Sequence, residues 1–262
     1  MAPTRERLDQ LLVRRGLVAS RAVAQRMVMA GQIRLDGQLV LQPGTRVAPD
    51  AAVEISSAPR FVSRGGEKLE AGLQQFQLEP VGWVCADVGA STGGFTDCLL
   101  QHGAERVYAV DVGHGQLHWR LRNDPRVVLM ERTNARYLAE VPEPIRLATV
   151  DVSFISLRLI LPPVGGWLTD RGELLALVKP QFEAGRREVG KGGVVKDPQI
   201  HQRVLLEVLV ASAAAGLAPQ GLIRSPLLGP KGNLEFLVWL RKGGEPTDHD
   251  QLFEACLSSV PG

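Results

Sequence analysis

The chain has 262 residues, of which 45% are hydrophobic, and its formal net charge at pH 7 is only +2. This length allows one large domain with a substantial core and one small additional domain. Arginines are spread through the first thirty residues, and no apolar run approaches the roughly 18 to 20 residues that cross a bilayer. We therefore expect a soluble protein without a signal peptide or a membrane span.

Two short helices are predicted at the start of the chain. The apolar residues that share one face of the first helix are Leu8, Leu11 and Leu12. Ser20 caps the second helix, whose inward residues are Val23, Met27 and Ala30. Alternating residues then flank Asp36-Gly37, which predicts a two-residue β-hairpin between 33–35 and 38–40, and a further strand covers 53–55.

Residues 1–60 carry the excess of positive charge. They hold nine arginines and five acidic residues, a balance of +4, which leaves 21 basic against 23 acidic residues in the remainder. Such an asymmetry is typical of a module that binds a polyanion, attached to a nearly neutral catalytic body, although a solvated basic face is the alternative.

The order of Arg-Leu-Asp, Ala-Gly-Gln-Ile and Asp-Gly over about residues 5 to 57 resembles the small RNA-binding module named after the fourth small-subunit ribosomal protein. The resemblance implies a small α+β domain over 1–59 that binds structured RNA. Guanidinium groups suit this role because they pair bidentately with phosphate. For any single arginine, a solvated surface position is the alternative. The RNA-binding residues that we predict are Arg5, Arg7, Arg14, Arg15, Arg21 and Arg26.

A predicted linker over 60–64 leads into a helix that starts close to Lys68. Helical spacing follows this lysine at Leu69, Leu73 and Phe76. The helix dipole disfavours a cation in the first turn, so Lys68 needs another reason to be there. A solvated residue at the helix end is the alternative.

A glycine-rich turn follows the first strand of the larger domain, whose apolar residues include Val84 and Val88. Gly89, Gly93 and Gly94 lie between this strand and a helix that begins near Gly94. Such a turn lets the backbone approach a nucleotide-like ligand at a helix N-terminus. The G-x-G-x-x-G fingerprint is absent, which weakens the case for NAD, and a turn without any ligand is the other alternative.

Strands alternate with helices over about 160 residues, which predicts a doubly wound α/β sheet. In such a sheet, ligands bind at the carboxyl ends of the strands. We expect the polar residues at these ends to be exposed to one site, although a simple exit of each strand to solvent is the alternative. These residues are Asp87, Asp111, Asp151 and Lys179.

The remaining elements complete the predicted domain over 65–243. A basic, glycine-rich segment over 190–198 is interpreted as a loop beside the substrate, with a plain connector as the alternative. A helix over about 199–215 and two strands, 222–226 and 235–240, complete a sheet of seven mostly parallel strands. The tail, 244–262, has weaker patterning and one possible helix at 251–257.

Asp111 ends the second strand 22 residues after Gly89, where a carboxylate can accept both hydroxyls of a ribose. Together with Asp87, Gly89 and Gly93, it resembles the first two motifs of S-adenosylmethionine-dependent methyltransferases. This resemblance implies S-adenosylmethionine as cofactor and a Rossmann-like class I methyltransferase fold. The predicted cofactor-binding residues are Asp87, Gly89, Ala90, Ser91, Gly93, Gly94, Phe95, Asp111 and Asn134.

The four charged residues that remain at strand or helix ends resemble the tetrad of ribose 2′-O-methyltransferases. They are Lys68, Asp151, Lys179 and Glu235. The chain is similar to the TlyA family, often labelled haemolysin A, whose members have an FtsJ-like catalytic domain. The similarity is carried by the N-terminal module and by the motifs that begin at Val62, Asp87, Asp151 and Val178. The resemblance implies an rRNA (cytidine-2′-O)-methyltransferase with ribosomal subunits as partners.

A ribose hydroxyl is a poor nucleophile at neutral pH, so transfer of a methyl group to it needs a nearby base. A lysine can serve if desolvation or a second cation lowers its pKa from about 10.4 towards neutrality. We assign Lys179 as the base and Lys68 to position the nucleophile. Asp151 then orients the lysine, and Glu235 holds either the ribose or Lys68.

Three other functions are possible for such a sequence. They are a non-catalytic protein that binds RNA or the ribosome, a membrane-lytic haemolysin, and a pseudouridine synthase, which would have no use for the glycine-rich turn. The cysteines and histidines have no metal-ligand spacing, so we expect no metal and reduced thiols in a cytoplasmic protein. A monomer is expected, because the RNA supplies the large surface.

Overall fold

The computed structural model of the protein describes residues 5–29, 31–55, 60–185, 187–190 and 192–258. The chain divides into two compact units, Met1–Arg60 and Phe61–Gly262. Three predictions fall outside the described residues: the domain boundary at residue 59, the inward position of Ala30, and Lys191 of the basic segment. Both chain ends also lie outside them.

The N-terminal unit is a small α+β domain. Its apolar core contains the predicted Leu8, Leu11 and Leu12, none of which is exposed. Strand β1 pairs with β4, and β3, β2 and β5 form a second antiparallel sheet. Its elements are β1 (Glu6–Arg7), α1 (Leu8–Arg14), α2 (Arg21–Met29), β2 (Ile33–Leu35), β3 (Gln38–Leu39), β4 (Arg46–Val47) and β5 (Val53–Ile55).

The predicted turn residues of this unit are confirmed, whereas one buried face is shifted. The Ser20 hydroxyl accepts a hydrogen bond from the Val23 amide at the start of α2. Asp36 and Gly37 both have positive φ, 48° and 77°, as a two-residue hairpin turn requires. The fully buried residues of α2 are Ala24 and Val28 rather than Val23 and Met27, because the buried face of the helix is displaced by one residue, with Met27 only partly buried against the core.

The second unit is an α/β domain around one large sheet. Its helices are α3 (Gly65–Gln75), α4 (Gly94–Gln101), α5 (Trp119–Arg122), α6 (Leu161–Trp167), α7 (Pro180–Glu183), α8 (Pro198–Ala214) and α9 (His249–Ser258). Its strands are β6 (Val84–Val88), β7 (Arg106–Val110), β8 (Val127–Met130), β9 (Ile145–Val150), β10 (Leu168–Val178), β11 (Leu217–Arg224) and β12 (Phe236–Lys242).

The sheet has seven strands in the order β11, β12, β10, β9, β6, β7, β8. Neighbouring strands from β10 to β8 are parallel, and β12 is antiparallel to both of its neighbours. The predicted seven-stranded, mostly parallel sheet is confirmed. Apolar side chains cover both of its faces, as expected when helices pack on each side.

The C-terminal helix α9 packs against β11, the outermost strand on one side of the sheet, and completes the core there. Its Leu252 and Cys256 are buried in the same cluster as Leu205 of α8. Burial raises the pKa of the Cys256 thiol to about 11 and that of Cys85 to about 12, so both are neutral core side chains at physiological pH.

Several predicted element boundaries are displaced for local reasons. The helix expected from Gln116 is only the short α5, because Pro125 follows closely. The helix expected from Ser156 is split into a 3₁₀ turn, Leu157–Leu159, and α6, since Pro162 lacks the amide that would continue the hydrogen-bond ladder. Strand β11 begins at Leu217 because it pairs along the whole of β12.

Candidate active site

Five predicted residues lie at one edge of the sheet. Four of them directly follow a parallel strand: Gly89 follows β6, Asp111 follows β7, Asp151 follows β9 and Lys179 follows β10. Parallel strands end at the same edge of the sheet, so these four residues lie close together. Glu235 directly precedes β12, which runs antiparallel to β10. The first residue of β12 therefore pairs with the last residue of β10. The start of β12 therefore lies at the same edge, which brings Glu235 beside the ends of the parallel strands.

A cavity of about 480 Å³, here called the cofactor cavity, opens at this edge. Its walls combine the carboxylate of Asp111 with apolar side chains such as Val110, Val112 and Ile155. The other predicted residues that line it are Gly89, Ser91, Asn134 and Asp151. This mixture of a few polar groups and a mainly apolar wall is typical of a small-molecule site.

The glycine-rich turn is closely packed against the loop after β9. Gly89 has a φ of 86°, and a Cβ there would lie 2.4 Å from the Asp151 carbonyl oxygen. Gly93 has a φ of 98°, and its Cβ would lie 2.2 Å from Leu121. A side chain at either position would displace its neighbours, so only glycine fits the turn at these two points.

Asp111 is held in place by two backbone amides. It accepts hydrogen bonds from the amides of Ser91 at 2.8 Å and Gly113 at 2.6 Å. A carboxylate has about four acceptor positions, so capacity remains for a ligand. Asn134 uses its side-chain oxygen to cap the 3₁₀ turn Ala135–Tyr137, which leaves its amide group for other contacts.

The expectation that Asp87 is exposed to the site is wrong. Strand β6 continues to Val88, and the Asp87 side chain is fully buried beneath the turn. It accepts hydrogen bonds from the amide and hydroxyl of Thr96 at 2.8 and 2.6 Å, which anchors the first turn of α4. Burial raises its pKa to about 7 despite these hydrogen bonds, and the charge of Asp151 contributes to the rise. Any effect of Asp87 on a ligand would pass through the turn.

A second cavity of about 390 Å³, here called the acceptor cavity, adjoins the first. Gly89, Ser91 and Asp151 line both cavities. The predicted residues that line the acceptor cavity alone are Lys68, Ala90, Gly94, Phe95, Lys179 and Glu235. The residues assigned to catalysis are therefore gathered around one space, which meets the cofactor cavity at Asp151.

The tetrad consists of two ion pairs. Lys68 Nζ lies 2.5 Å from Glu235 Oε2, and Lys179 Nζ lies 2.5 Å from Asp151 Oδ1. The pairing with a buried carboxylate explains why a lysine occurs in the first turn of α3. Lys179 Nζ also donates to the Val152 carbonyl at 3.1 Å and to the Ser153 hydroxyl at 3.2 Å, so its position is fixed from several sides.

One carboxylate oxygen of Glu235 is buried without a hydrogen-bond partner among the described residues. This atom, Oε1, belongs to a side chain that is fully buried at the wall of the acceptor cavity. A Cβ at Gly229 would lie within 1.9 Å of it, so the neighbouring loop leaves just enough room for the carboxylate. An unpaired buried oxygen is costly unless a ligand satisfies it.

Sequence reasoning missed Phe154, although the motif around it was recognised. The residue has a φ of 63°, which is rare for a bulky side chain, and its side chain is 90% exposed at the cofactor cavity. Its ring lies 4.9 Å from that of Phe182. Strained backbone of this kind is concentrated at functional sites, but a sequence pattern does not reveal φ.

Sequence reasoning also missed Glu183, a buried carboxylate that holds the loop after β9. It accepts hydrogen bonds from the Ser156 hydroxyl at 2.6 Å and the Leu157 amide at 2.7 Å. Since Glu183 is in α7, which follows Lys179, it ties that helix to the loop lining the cofactor cavity.

Four of the six arginines predicted to bind RNA make contacts within the N-terminal unit. Arg14 pairs with Glu6, and Arg15 donates to the backbone carbonyls of residues 49 and 51. Arg7 and Arg21 both pair with the buried carboxylate of Asp9. Their hydrogen bonds, led by that of Arg7, hold the pKa of Asp9 well below its usual range. No side-chain hydrogen bond or ion pair within the described residues is found for Arg5 or Arg26.

No group of three histidine, cysteine or acidic side chains within the described residues is arranged to hold a metal ion. In the same part of the chain, none of the helices is both long and apolar enough to span a membrane.

Residues 61–242 match the FtsJ-like methyltransferase family, and residues 6–53 match the S4 domain. The YqxC protein of Bacillus subtilis is 48% identical over 97% of this chain and 92% of its own length. The 16S/23S rRNA (cytidine-2′-O)-methyltransferase TlyA of Mycobacterium tuberculosis is 47% identical over 90% of each chain. A solved structure from Streptococcus thermophilus, labelled as a hemolysin, has a TM-score of 0.72 at 42% identity and covers 97% of this chain and 96% of its own.

The resemblance inferred from the sequence motifs is thereby confirmed: the chain belongs to the TlyA family of FtsJ-like methyltransferases, with an S4 domain in its N-terminal unit.

Proposed function

We propose that the protein transfers a methyl group from S-adenosylmethionine to the 2′-hydroxyl of a cytidine ribose in ribosomal RNA. The observation that carries this proposal is the junction of the two cavities at Asp151, with both lysine–carboxylate pairs on the acceptor side. The name of the Mycobacterium tuberculosis relative supplies the cytidine and the ribosomal RNA.

The cofactor cavity fits S-adenosylmethionine in size and chemistry. Its volume of about 480 Å³ is in the range of small-molecule sites. We assign Asp111 to the ribose hydroxyls of the cofactor, because two backbone amides hold its carboxylate at the cavity wall. Apolar walls around Val112 and Ile155 suit the adenine ring, and Asn134, which lines the same cavity, is assigned to donate to it.

Bound S-adenosylmethionine supplies a methyl group on a sulfonium, whose sulfur leaves as a neutral thioether. The protein's task is then to present the ribose hydroxyl in line with that methyl group and to remove its proton. We assign Lys179, in its neutral form, as the group that accepts this proton, because it lines the acceptor cavity and its Nζ lies 2.5 Å from Asp151 Oδ1, where the two cavities meet. Asp151 orients Lys179 through their ion pair and is itself part of both walls.

The second pair, Lys68 and Glu235, is assigned to hold the acceptor ribose. Lys68 is fixed by Glu235 Oε2 and can donate its other N–H groups to the ribose oxygen. Glu235 Oε1 is a buried acceptor without a partner among the described residues, and a neighbouring ribose hydroxyl would satisfy it. The sequence left open whether Glu235 holds the ribose or Lys68; its two oxygens allow both.

Ribosomal RNA as the substrate is supported by the S4 domain match and by the positive charge of the N-terminal unit. Base and phosphate recognition of RNA depends on arginine and on shape, which this unit can provide. The rival functions make different demands: a non-catalytic RNA-binding protein needs no acceptor cavity, and a membrane-lytic protein needs an exposed apolar helix.

The proposal is tested by incubating purified protein with radiolabelled S-adenosylmethionine and isolated 30S or 50S ribosomal subunits. We expect label in the rRNA with the wild type, and a loss of at least about 100-fold in rate with Lys179→Met, since a positioned base contributes roughly 10²- to 10⁴-fold. Binding of the subunits without transfer by the wild type would favour the non-catalytic alternative. Leakage of dye from liposomes without transfer would favour the haemolysin alternative.

A further inference from the structure

Among the described residues of the N-terminal unit, the side chain that accepts the most hydrogen bonds is an acid within a basic module. Asp9 has no exposed surface and lies in the first turn of α1. Its Oδ1 accepts from Arg7 Nε at 3.0 Å, and its Oδ2 accepts from Arg7 Nη2 at 3.1 Å, Arg21 Nε at 2.9 Å and Gln25 Nε2 at 2.9 Å. One carboxylate thus holds two guanidinium groups and an amide.

Both arginine side chains remain partly exposed to solvent. The side chains of Arg7 and Arg21 are 40% and 52% exposed although they share a fully buried partner. Each guanidinium has five N–H donors, of which Asp9 uses two in Arg7 and one in Arg21. Arg7 also lies close to Gly44, where an added Cβ would be 3.0 Å from Nη1.

The charges of this cluster do not cancel. Two guanidinium groups meet one carboxylate, and Gln25 is neutral, which leaves a net charge of +1 on an exposed face. Without Asp9, two like charges would separate into different rotamers, and binding a phosphate would then have to order both long side chains. With Asp9, the two guanidinium groups are side by side before any ligand arrives.

We infer that Asp9 is a positioning residue for RNA binding, which holds Arg7 and Arg21 as a preformed clamp for one RNA phosphate. This inference rests on the proposed function, because it assumes that the N-terminal unit contacts the RNA substrate. Charge-assisted hydrogen bonds from two guanidinium groups to one phosphate are among the strong polar contacts of proteins.

The inference makes a prediction opposite in sign to that of simple electrostatics. Removal of a negative charge from an RNA-binding surface should strengthen the attraction to phosphate if charge alone matters. If Asp9 acts by positioning, Asp9→Asn should weaken RNA binding by about tenfold, because two rotamer-rich side chains must then be ordered on binding.

The test measures binding of the full-length protein to isolated 30S and 50S ribosomal subunits by filter binding at a fixed salt concentration. The matched control is Glu54→Gln, which removes an acid from an exposed position of the same unit. We expect the control to leave the Kd unchanged or lower it slightly, whereas Asp9→Asn raises it about tenfold. Circular dichroism and thermal unfolding establish that each variant is folded.

A second variant keeps the test decisive if Asp9→Asn does not fold. Arg21→Lys preserves the charge and leaves no buried charge unpaired, but it replaces the forked guanidinium with a single ammonium. The clamp predicts weaker binding of at least several-fold, and charge alone predicts none. Addition of Asp9→Asn to the double variant Arg7→Gln/Arg21→Gln should then cause little further loss, because Asp9 acts through these two arginines.

Two results would overturn the inference. One is that Asp9→Asn binds RNA more tightly while Arg7→Gln binds it more weakly. The arginines would then bind RNA, but Asp9 would not position them. The other is unchanged binding by folded Arg21→Lys. If Arg7→Gln and Arg21→Gln both leave subunit binding unchanged, the predicted RNA-binding role of these arginines fails instead, and that result is distinguishable from the first.

Discussion

Substitution of Gly89 by alanine should damage the active site far more than the fold. Gly89 directly follows β6, lines both cavities and has a φ of 86°. Alanine in this left-handed region costs about 1 to 2 kcal/mol in the free energy of unfolding. The same strain applies to any glycine with a similar φ, so it does not by itself single out the active site.

The specific damage comes from the position of the new Cβ. It would lie 2.4 Å from the Asp151 carbonyl oxygen and 2.9 Å from the carbonyl carbon, whereas real Cβ atoms do not approach within 3.0 Å. Gly89 and Asp151 must therefore move apart by at least 0.6 Å, the difference between 3.0 Å and the 2.4 Å to the carbonyl oxygen. Since a misplacement of about 1 Å can lower a rate by roughly 100-fold, we expect kcat to fall about tenfold or more.

Gly82→Ala is the matched control. Gly82 has a φ of 72°, lies before β6 at the opposite edge of the sheet, and a Cβ there would meet nothing within 4 Å. Urea denaturation should show the loss of unfolding free energy that the strained φ causes, about 1 to 2 kcal/mol, in Gly82→Ala, and a larger loss in Gly89→Ala, which also carries the clash with Asp151. Calorimetric titration with S-adenosylmethionine and steady-state methylation of ribosomal subunits should show weaker binding and lower kcat only in Gly89→Ala.

Equal effects of Gly82→Ala and Gly89→Ala on cofactor binding and kcat would contradict a specific role for Gly89. The loss would then be a general result of backbone strain, and the packing of Gly89 against Asp151 would have no part in positioning the site.

Three further substitutions have distinct expected results. Lys179→Met should bind S-adenosylmethionine with unchanged affinity in calorimetry and lose about 100-fold or more in single-turnover rate; equal loss in both measurements would argue against a role as base. Glu183→Gln replaces one acceptor oxygen with a donor that faces the Leu157 amide or the Ser156 hydroxyl. Because a lost hydrogen bond is worth about 1 kcal/mol, cofactor affinity should fall several-fold, whereas kcat at saturating cofactor should change little. Burial raises the pKa of Asp87 from 3.8 to about 7, so its contribution to stability is present below about pH 4 and is lost as pH rises through 7. Urea denaturation between pH 4 and 8.5 should therefore show Asp87→Asn gaining stability relative to the wild type as pH rises, and a constant difference would contradict the assigned cause.

The edge of the sheet that forms the site could be predicted because one topological rule determines it. Hydrophobic strands separated by helices indicate parallel pairing, and parallel strands end at the same edge. Asp111, Asp151 and Lys179 are all found there. Glu235 reaches this edge from the other direction, at the start of an antiparallel strand.

The error for Asp87 has a simple physical origin. The sequence marks the strand end only to within a residue, whereas the pairing of Val88 with Val110 and Val150 extends the strand by one position. A shift of one residue moves a side chain from the exposed edge into the core. The same uncertainty displaced the inward face of α2.

Side-chain pairs between distant positions could not be predicted from the sequence. Lys68 and Glu235 are 167 positions apart, and their contact depends on how α3 lies against the start of β12. In the sequence, the buried Asp9 is one of five acids among nine arginines in residues 1–60. That charge balance does not show that Arg7 and Arg21 both pair with it. Phe154 was hidden for another reason, because no local pattern identifies its positive φ.

The two ion pairs that line the acceptor cavity are proposed to direct a methyl group to a ribose oxygen of RNA. This role is tested by mass spectrometry of rRNA nucleosides from ribosomal subunits incubated with S-adenosylmethionine and either the wild type or Lys179→Met. We expect 2′-O-methylcytidine with the wild type and little or none with the variant. A methyl group on a base, or equal amounts of 2′-O-methylcytidine with both proteins, would contradict it.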